Sequence, residues 1–293
     1  MPNDKLRSQL LLHFIVFIWG FTAIIGKLIS LEALSLVWFR MLFAVFFIWG
    51  YIVYKKMDWR HSIKQIPMFL LAGVVIALHW FTFFKAIKVS NVSVTLACLS
   101  TGAFFTSLIE PLVSKKKIVG YEIVFGLIVV AGLALIFNVE TRFVEGIVLA
   151  LVSAFLSASF AIINTKFVTH HEPVVISLFE LIGGVLFFSL LLGYSGSFTS
   201  SFFQISLSDL GYLLILSSIC TAFAMIASTA LLRVLDAYTV MLTINLEPVY
   251  GIILAMLLFE QTETMSGTFY LGAIIILLTV IANGWLKSRK SVN

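Results

Sequence analysis

The chain is a succession of apolar runs, each long enough to cross a bilayer as a helix and each ended by a short polar break, and this recurrence leaves few folds open. A helix rises about 1.5 Å per residue, so about 20 apolar residues span a hydrocarbon core. Ten runs meet that requirement, at residues 10–28, 33–54, 66–86, 91–113, 119–137, 143–165, 173–192, 207–229, 237–259 and 267–286. The breaks leave no room for a soluble domain, and 61% hydrophobic against 11% charged residues lies outside the range of soluble globular domains. The expected fold is all-α and membrane-embedded, which puts function inside the membrane. The first run follows Lys5 and Arg7 but lacks a small-x-small cleavage site and is followed by further spans, so it reads as a transmembrane helix and not as a signal peptide.

Numbering the breaks alternately assigns Lys5, Arg7, Lys55, Lys56, Arg60, Lys64, Lys115, Lys116, Lys117, Lys166, Arg233, Lys287, Arg289 and Lys290 to one side. The other side receives only Lys27, Lys85, Lys88 and Arg142, and Arg40 falls within the second span. An excess of Lys and Arg marks the cytoplasmic face, which predicts both termini in the cytoplasm and an even number of spans. The same placement accounts for the net charge of +5 without a nucleic-acid partner. Cys98 and Cys220 sit inside apolar runs with no metal or redox spacing and read as small buried hydrophobes.

The two halves resemble each other. One constant offset places Val94 on Val240, Leu96 on Leu242, Leu108 on Leu254, Leu112 on Leu258, Gly126 on Gly272 and Ile128 on Ile274. Two slightly smaller offsets, one residue apart, pair Phe21 and Lys27 with Phe160 and Lys166, and Phe39, Val45 and Phe47 with Phe179, Val185 and Phe187. Five spans per half is an odd number, so the second half enters from the opposite side. Repeats of inverted topology are typical of transporters, with the binding site near the midplane between them.

Within this frame the stretch from Ala237 to Glu260 stands out, because Glu247 and Pro248 lie near the middle of an apolar helix. An ionisable group at that depth is costly and is a functional candidate by default. Pro248 has no N–H and crowds the preceding turn, so the helix is expected to kink beside Asn245 and Glu247. Unpaired, Glu247 is expected to be neutral; paired with Arg40 it could stay charged.

These residues also carry a family resemblance. Leu246-Glu247-Pro248-Val249-Tyr250 followed by Phe259-Glu260, Trp19-Gly20 in the first span and Phe39-Arg40 in the second make the chain similar to a ten-helix, EamA-type member of the drug/metabolite transporter superfamily. The resemblance implies a carrier of small metabolites, often amino acids. The first half departs from the pattern, with Thr101-Gly102 where the second has Glu247-Pro248 and Ser114 opposite Glu260, while Glu110-Pro111 does not align with it.

Trp19, Arg40, His79, Trp80, Ser100, Thr101, Asn245, Glu247 and Tyr250 are the candidates for one cavity between the halves. Arg40 cannot shed its charge and must either meet a substrate carboxylate, backbone carbonyls or a cavity, or reach outward to the interface. Its repeat mate is Glu180, and Glu247, Arg40 and Glu180 are the candidates for ion coupling, with protons the candidate ion. His79 could relay protons or simply bond a neighbouring carbonyl. Trp19, Trp80 and Tyr250 could wall a ligand. Lys27 and Lys166 read as side chains snorkelling from span ends, Asn91-Val92-Ser93 as a sequon too near the membrane to matter, and Gly183-Gly184 as a close helix contact.

The resulting expectation is an all-α integral membrane protein of ten transmembrane helices in two inverted five-helix repeats, residues 1–139 and 140–293, in a cell inner membrane. The function expected is alternating-access export or exchange of a small metabolite, an amino acid being the favoured case, by a monomer or homodimer without cofactor or metal. A nucleotide-sugar carrier needs several cavity cations, and Arg40 is the only arginine or lysine deep in a span. An enzyme is not expected, since the spans hold no H-E-x-x-H, G-x-S-x-G or paired aspartates, and there is no P-loop for ATP-driven transport. A structural or sensory membrane protein would leave the midplane Glu-Pro break unexplained.

Overall fold

A computed structural model describes residues 2–114, 120–139, 141–235 and 237–290. Lys115, Lys116 and Lys117, part of the basic side predicted above, lie outside them, as does Glu140 at the expected boundary between halves. The described residues form helices and connecting turns, with no strand among them. In the first half these are α1 (Pro2–Leu28), α2 (Ala33–Lys55), α3 (Ile66–Val89), α4 (Val92–Leu99), α5 (Gly102–Ser114) and α6 (Gly120–Val139). In the second they are α7 (Val144–Phe167), α8 (Pro173–Tyr194), α9 (Leu207–Ser217), α10 (Ala224–Leu231), α11 (Ala237–Ile244), α12 (Glu247–Leu258), the short α13 (Glu260–Glu263) and α14 (Gly267–Lys290). Among them are 7 helical stretches long and apolar enough to cross a membrane, and three shorter apolar helices over 124–138, 247–258 and 267–282.

Local sequence explains where these helices start. Pro67 and Pro173 occupy first-turn positions of α3 and α8, where the missing N–H costs nothing. Asn91 caps α4 by accepting from the Val94 N–H at 2.8 Å, and Ser206 caps α9 by accepting from Asp209 N–H at 3.1 Å.

Three membrane stretches are interrupted. At the Glu-Pro site the helix stops outright: α11 ends at Ile244, Asn245 and Leu246 form a turn, and α12 starts at Glu247 with Pro248 in its first turn. The first half breaks at the corresponding place, between α4 and α5, without a proline. There the Ser100 and Thr101 hydroxyls donate to the carbonyls of Ala97 (2.6 Å) and Cys98 (2.7 Å), supplying donors that hydrocarbon does not. The third interruption is a π-helical turn, Ser218–Phe223, between α9 and α10.

The packing has the pattern of a twofold exchange. α2 lies against α8, and α6 against α14, each pair being repeat mates. The contacts of α1 with α12 answer those of α7 with α4 and α5, and α3 on α8 answers α2 on α9. α3 and α8 approach so closely that a Cβ on Gly73 would collide with the Glu180 carbonyl oxygen, and one on Gly183 with that of Leu70. A similar approach joins α6 and α14 at Gly132 and Gly272. Inside a bilayer, where lipid is as apolar as leucine, such small-residue contacts hold helices together by close packing.

Candidate functional site

Both halves contribute to one cavity of about 110 Å³. The first half supplies Trp19 and Thr22 of α1, Arg40 of α2, Ile76, His79, Trp80 and Phe83 of α3 and Leu99 of α4. The second supplies Ser157, Phe160, Ala161 and Asn164 of α7, Cys220 of the π turn, Met225, Ser228 and Thr229 of α10, Leu232, and Val240, Met241, Ile244 and Glu247 around the break. Asn164, Leu232 and Val240 lie near the end of α7, just after α10 and near the start of α11, so the cavity runs from the helix breaks toward that end of the molecule.

Arg40 is 1% exposed and is held from several directions. Its Nε donates to Thr221 Oγ1 at 2.6 Å, an Nη reaches the Cys220 carbonyl at 3.5 Å, and the guanidinium lies 4.0 Å from the Trp80 ring centroid. Its Nη1 has no partner. The π turn makes this possible. Thr221 Oγ1 donates to the Leu216 carbonyl, and the Cys220 carbonyl accepts from both Arg40 and the Trp19 indole N–H, at 3.3 Å from the latter. A π turn at a site where backbone must serve a side chain is a recurrent use of this geometry. Of the alternatives named above for Arg40, the cavity and a backbone carbonyl are observed and the outward reach is not; its bonds do not go to Glu247, and the two share the cavity wall without a direct ion pair. His79 Nδ1 lies 2.9 Å from the Ser153 carbonyl and 2.8 Å from its hydroxyl, the carbonyl-bonded alternative named above.

Of the nine cavity candidates, Trp19, Arg40, His79, Trp80 and Glu247 line this space. Ser100, Thr101 and Asn245 are buried at the helix breaks, and Tyr250 packs edge-on against Phe17, so these four do not line it. Glu180 lies behind the wall, fully buried, accepting from the Asn164 amide at 2.8 Å. The sequence reading missed Asn164, Ser157, Ser228 and Thr229; small polar side chains in a helix usually bond their own carbonyls, as Ser159 does with Phe155, so polarity alone does not place them.

The pattern of the EamA-like transporter family matches residues 6–138 and again 144–285. The chain belongs to the EamA-like transporter family. It is 25% identical over 267 residues to an uncharacterized transporter of Archaeoglobus fulgidus, covering 85% of this chain and 88% of that protein. A crystal structure of a protein at 12% identity superposes with a TM-score of 0.66, covering 94% of this chain and 97% of the other, and shows the same fold.

In this EamA-like transporter the end opposite the cavity mouth is sealed. Glu263, fully buried, accepts from the Val92 N–H (3.1 Å), the Ser93 N–H (2.8 Å) and the Ser93 hydroxyl (2.8 Å) at the start of α4. Lys27 at the end of α1 donates to the same carboxylate at 2.5 Å and to Thr262 Oγ1 at 2.7 Å. Lys27 is thus fixed, where its position suggested snorkelling. Asn91 donates to the Thr262 carbonyl, so the sequon side chain is committed to structure. Lys88 donates to the Ile29 carbonyl, and the Ser30 N–H and hydroxyl donate to Asp209 at 2.9 and 2.6 Å. A carboxylate on helix-start N–H groups with a cation alongside is a strong, charge-assisted arrangement.

Proposed function

We propose that the protein is a secondary carrier that moves a small zwitterionic metabolite, an amino acid being the favoured case, by alternating access of the central cavity. The observation that carries this reading is the unpartnered Nη1 of Arg40 in a largely apolar cavity that also contains Glu247. A guanidinium recognises a carboxylate through parallel N–H donors, and a carboxylate across the same space answers an ammonium. The cavity is mostly apolar with few polar groups, as small-molecule sites are. Its open and sealed ends, together with the exchangeable packing of the halves, are what a carrier needs to expose one site to either side. The excess of Lys and Arg on the side toward which the cavity runs supports a cytoplasmic cavity mouth in an inner membrane, and such an orientation favours export or exchange. A nucleotide-sugar carrier is less well supported, because Arg40 is the only arginine or lysine lining the cavity among the described residues.

The test is counterflow: liposomes holding the purified protein and one unlabelled amino acid at a time should accumulate the labelled form of the transported one above equilibrium. A panel covering every amino acid class with no accumulation, from protein shown to be folded, refutes the zwitterion reading.

A further inference from the structure

Behind the cavity wall, where α7 meets α8, three buried oxygens have no hydrogen-bond partner: Glu180 Oε2, Asn164 Oδ1 and Ser177 Oγ. Glu180 and Ser177 are 0% exposed and Asn164 1%. An unmet acceptor at such depth is costly, and an ionised carboxylate is costlier. The Asn164 amide already donates to Glu180 Oε1 at 2.8 Å, so the carboxyl and carboxamide groups meet through one of their two possible bonds. The two atoms left over, Oε2 and Oδ1, are acceptors when Glu180 is ionised and cannot bond each other. A single proton on Oε2 changes this: the new O–H becomes a donor to Oδ1, and acid and amide close a two-bond ring. One proton thus removes the buried charge and supplies the donor that both orphaned atoms lack.

Asn164 also lines the cavity, whereas Glu180 does not, so the amide stands between the carboxyl and the water-accessible space. The other charged and titratable groups on α2, α3 and α7 either bond other partners, as Arg40, His79 and Lys88 do, or stand near the helix ends, as Lys55, Lys85, Glu145 and Lys166 do. Arg40 of α2 is bonded to Thr221, His79 of α3 to Ser153, and Lys166 of α7 is exposed. α10 carries none. Asn164 is the polar side chain that acts on Glu180.

We propose that the Glu180–Asn164 pair is a proton-binding site of the protein, loaded and unloaded from the central cavity past Asn164. On loading, hydronium in the cavity gives its proton to Glu180 Oε2 and leaves as water; on unloading, a cavity water takes the proton back. Its use as the coupling site of transport rests on the carrier reading above, but proton binding does not.

Infrared spectroscopy of the purified protein in lipid nanodiscs tests it through the carbonyl stretch of protonated carboxylic acids. The wild type is expected to show a band that is absent in Glu180→Gln, that shifts on transfer to heavy water, and that is lost reversibly on moving from mildly acidic to alkaline pH. Glu180→Gln is suited to the test because its amide can keep both bonds to Asn164 and so preserve the fold. Asn164→Leu, which removes the ring partner, should move the pH at which the band is lost. No band assignable to Glu180, or a band that fails to exchange in heavy water or persists until the protein unfolds, overturns the proposal. So does a band that sodium ions abolish at constant pH, which would make the three oxygens a metal-cation site. None of these readings needs a transported solute, so a failed carrier reading and a failed proton site are told apart.

Discussion

At the scale of single residues, Arg40 and Glu247 make opposite predictions about a ligand. A hydrogen bond to a charged group contributes roughly 1.5–3 kcal/mol, about 10- to 150-fold in affinity. Arg40→Lys keeps the charge but loses the planar fork and the stacking on Trp80, and should weaken binding of the counterflow substrate by that factor. Glu247→Gln should weaken binding of the same amino acid while leaving its deaminated carboxylic-acid analogue unaffected. Trp19 and Trp80 line the cavity, so their fluorescence reports both affinities. Equal losses for both ligands in Glu247→Gln would remove the ammonium role. Arg40, His79 and Glu247 were legible in the sequence because a charged or titratable side chain inside an apolar run is conspicuous wherever it points. Ser100, Thr101 and Asn245 were equally conspicuous, but their polarity sits at the helix breaks, where the two hydroxyls serve freed carbonyls. Asn164 is inconspicuous in sequence, and only the rotation of α7 shows that it faces both the cavity and Glu180.

At the scale of elements, the seal and the glycine contacts are the testable parts. Lys27 pairs with a fully buried carboxylate while its own side chain is 22% exposed. Removing one partner of a buried pair costs about 3–5 kcal/mol, because the other charge is left uncompensated. Lys27→Met should lower the melting temperature, and adding Glu263→Gln should recover part of the loss by removing the stranded charge. Additive losses in the double variant would show that the two do not act as a pair. Gly73→Ala forces a methyl into the Glu180 backbone and should destabilise by about 1–3 kcal/mol or more. Gly193→Ala near the end of α8, with nothing within 4 Å, should be neutral or stabilising by up to about 1 kcal/mol. Thermal melts of both in the same lipid decide it. The break at Pro248 was legible because proline cannot supply the helix bond. The break after Leu99 and the π turn were not, since no proline marks either one and the π turn serves a buried guanidinium that it meets only in the folded molecule.

At the scale of the molecule, the charge asymmetry and the placement of cavity and seal make the proposed orientation testable. Of the four basic residues on the sparse side, Lys27 is paired with the Glu263 carboxylate in the seal, so the uncompensated positive charge there is smaller than the sequence count suggests. The side with Lys55, Lys56, Lys166 and Arg233 is the side of the cavity mouth, and Lys and Arg held near a membrane face favour the cytoplasm. Single cysteines at Lys56 and Ser200, in a chain whose Cys98 and Cys220 are replaced by alanine, should therefore label oppositely with a membrane-impermeant maleimide applied to intact cells. Ser200 lies on the exposed connection between α8 and α9, beyond the sealed end, and should react from outside; Lys56, just after α2, should react only in opened cells. Both sites are exposed, so a silent site reports sidedness and not burial. Labelling of both from outside would contradict an odd number of crossings between them, and reversal of the two would place the cavity mouth on the external face and turn the export reading into one of uptake.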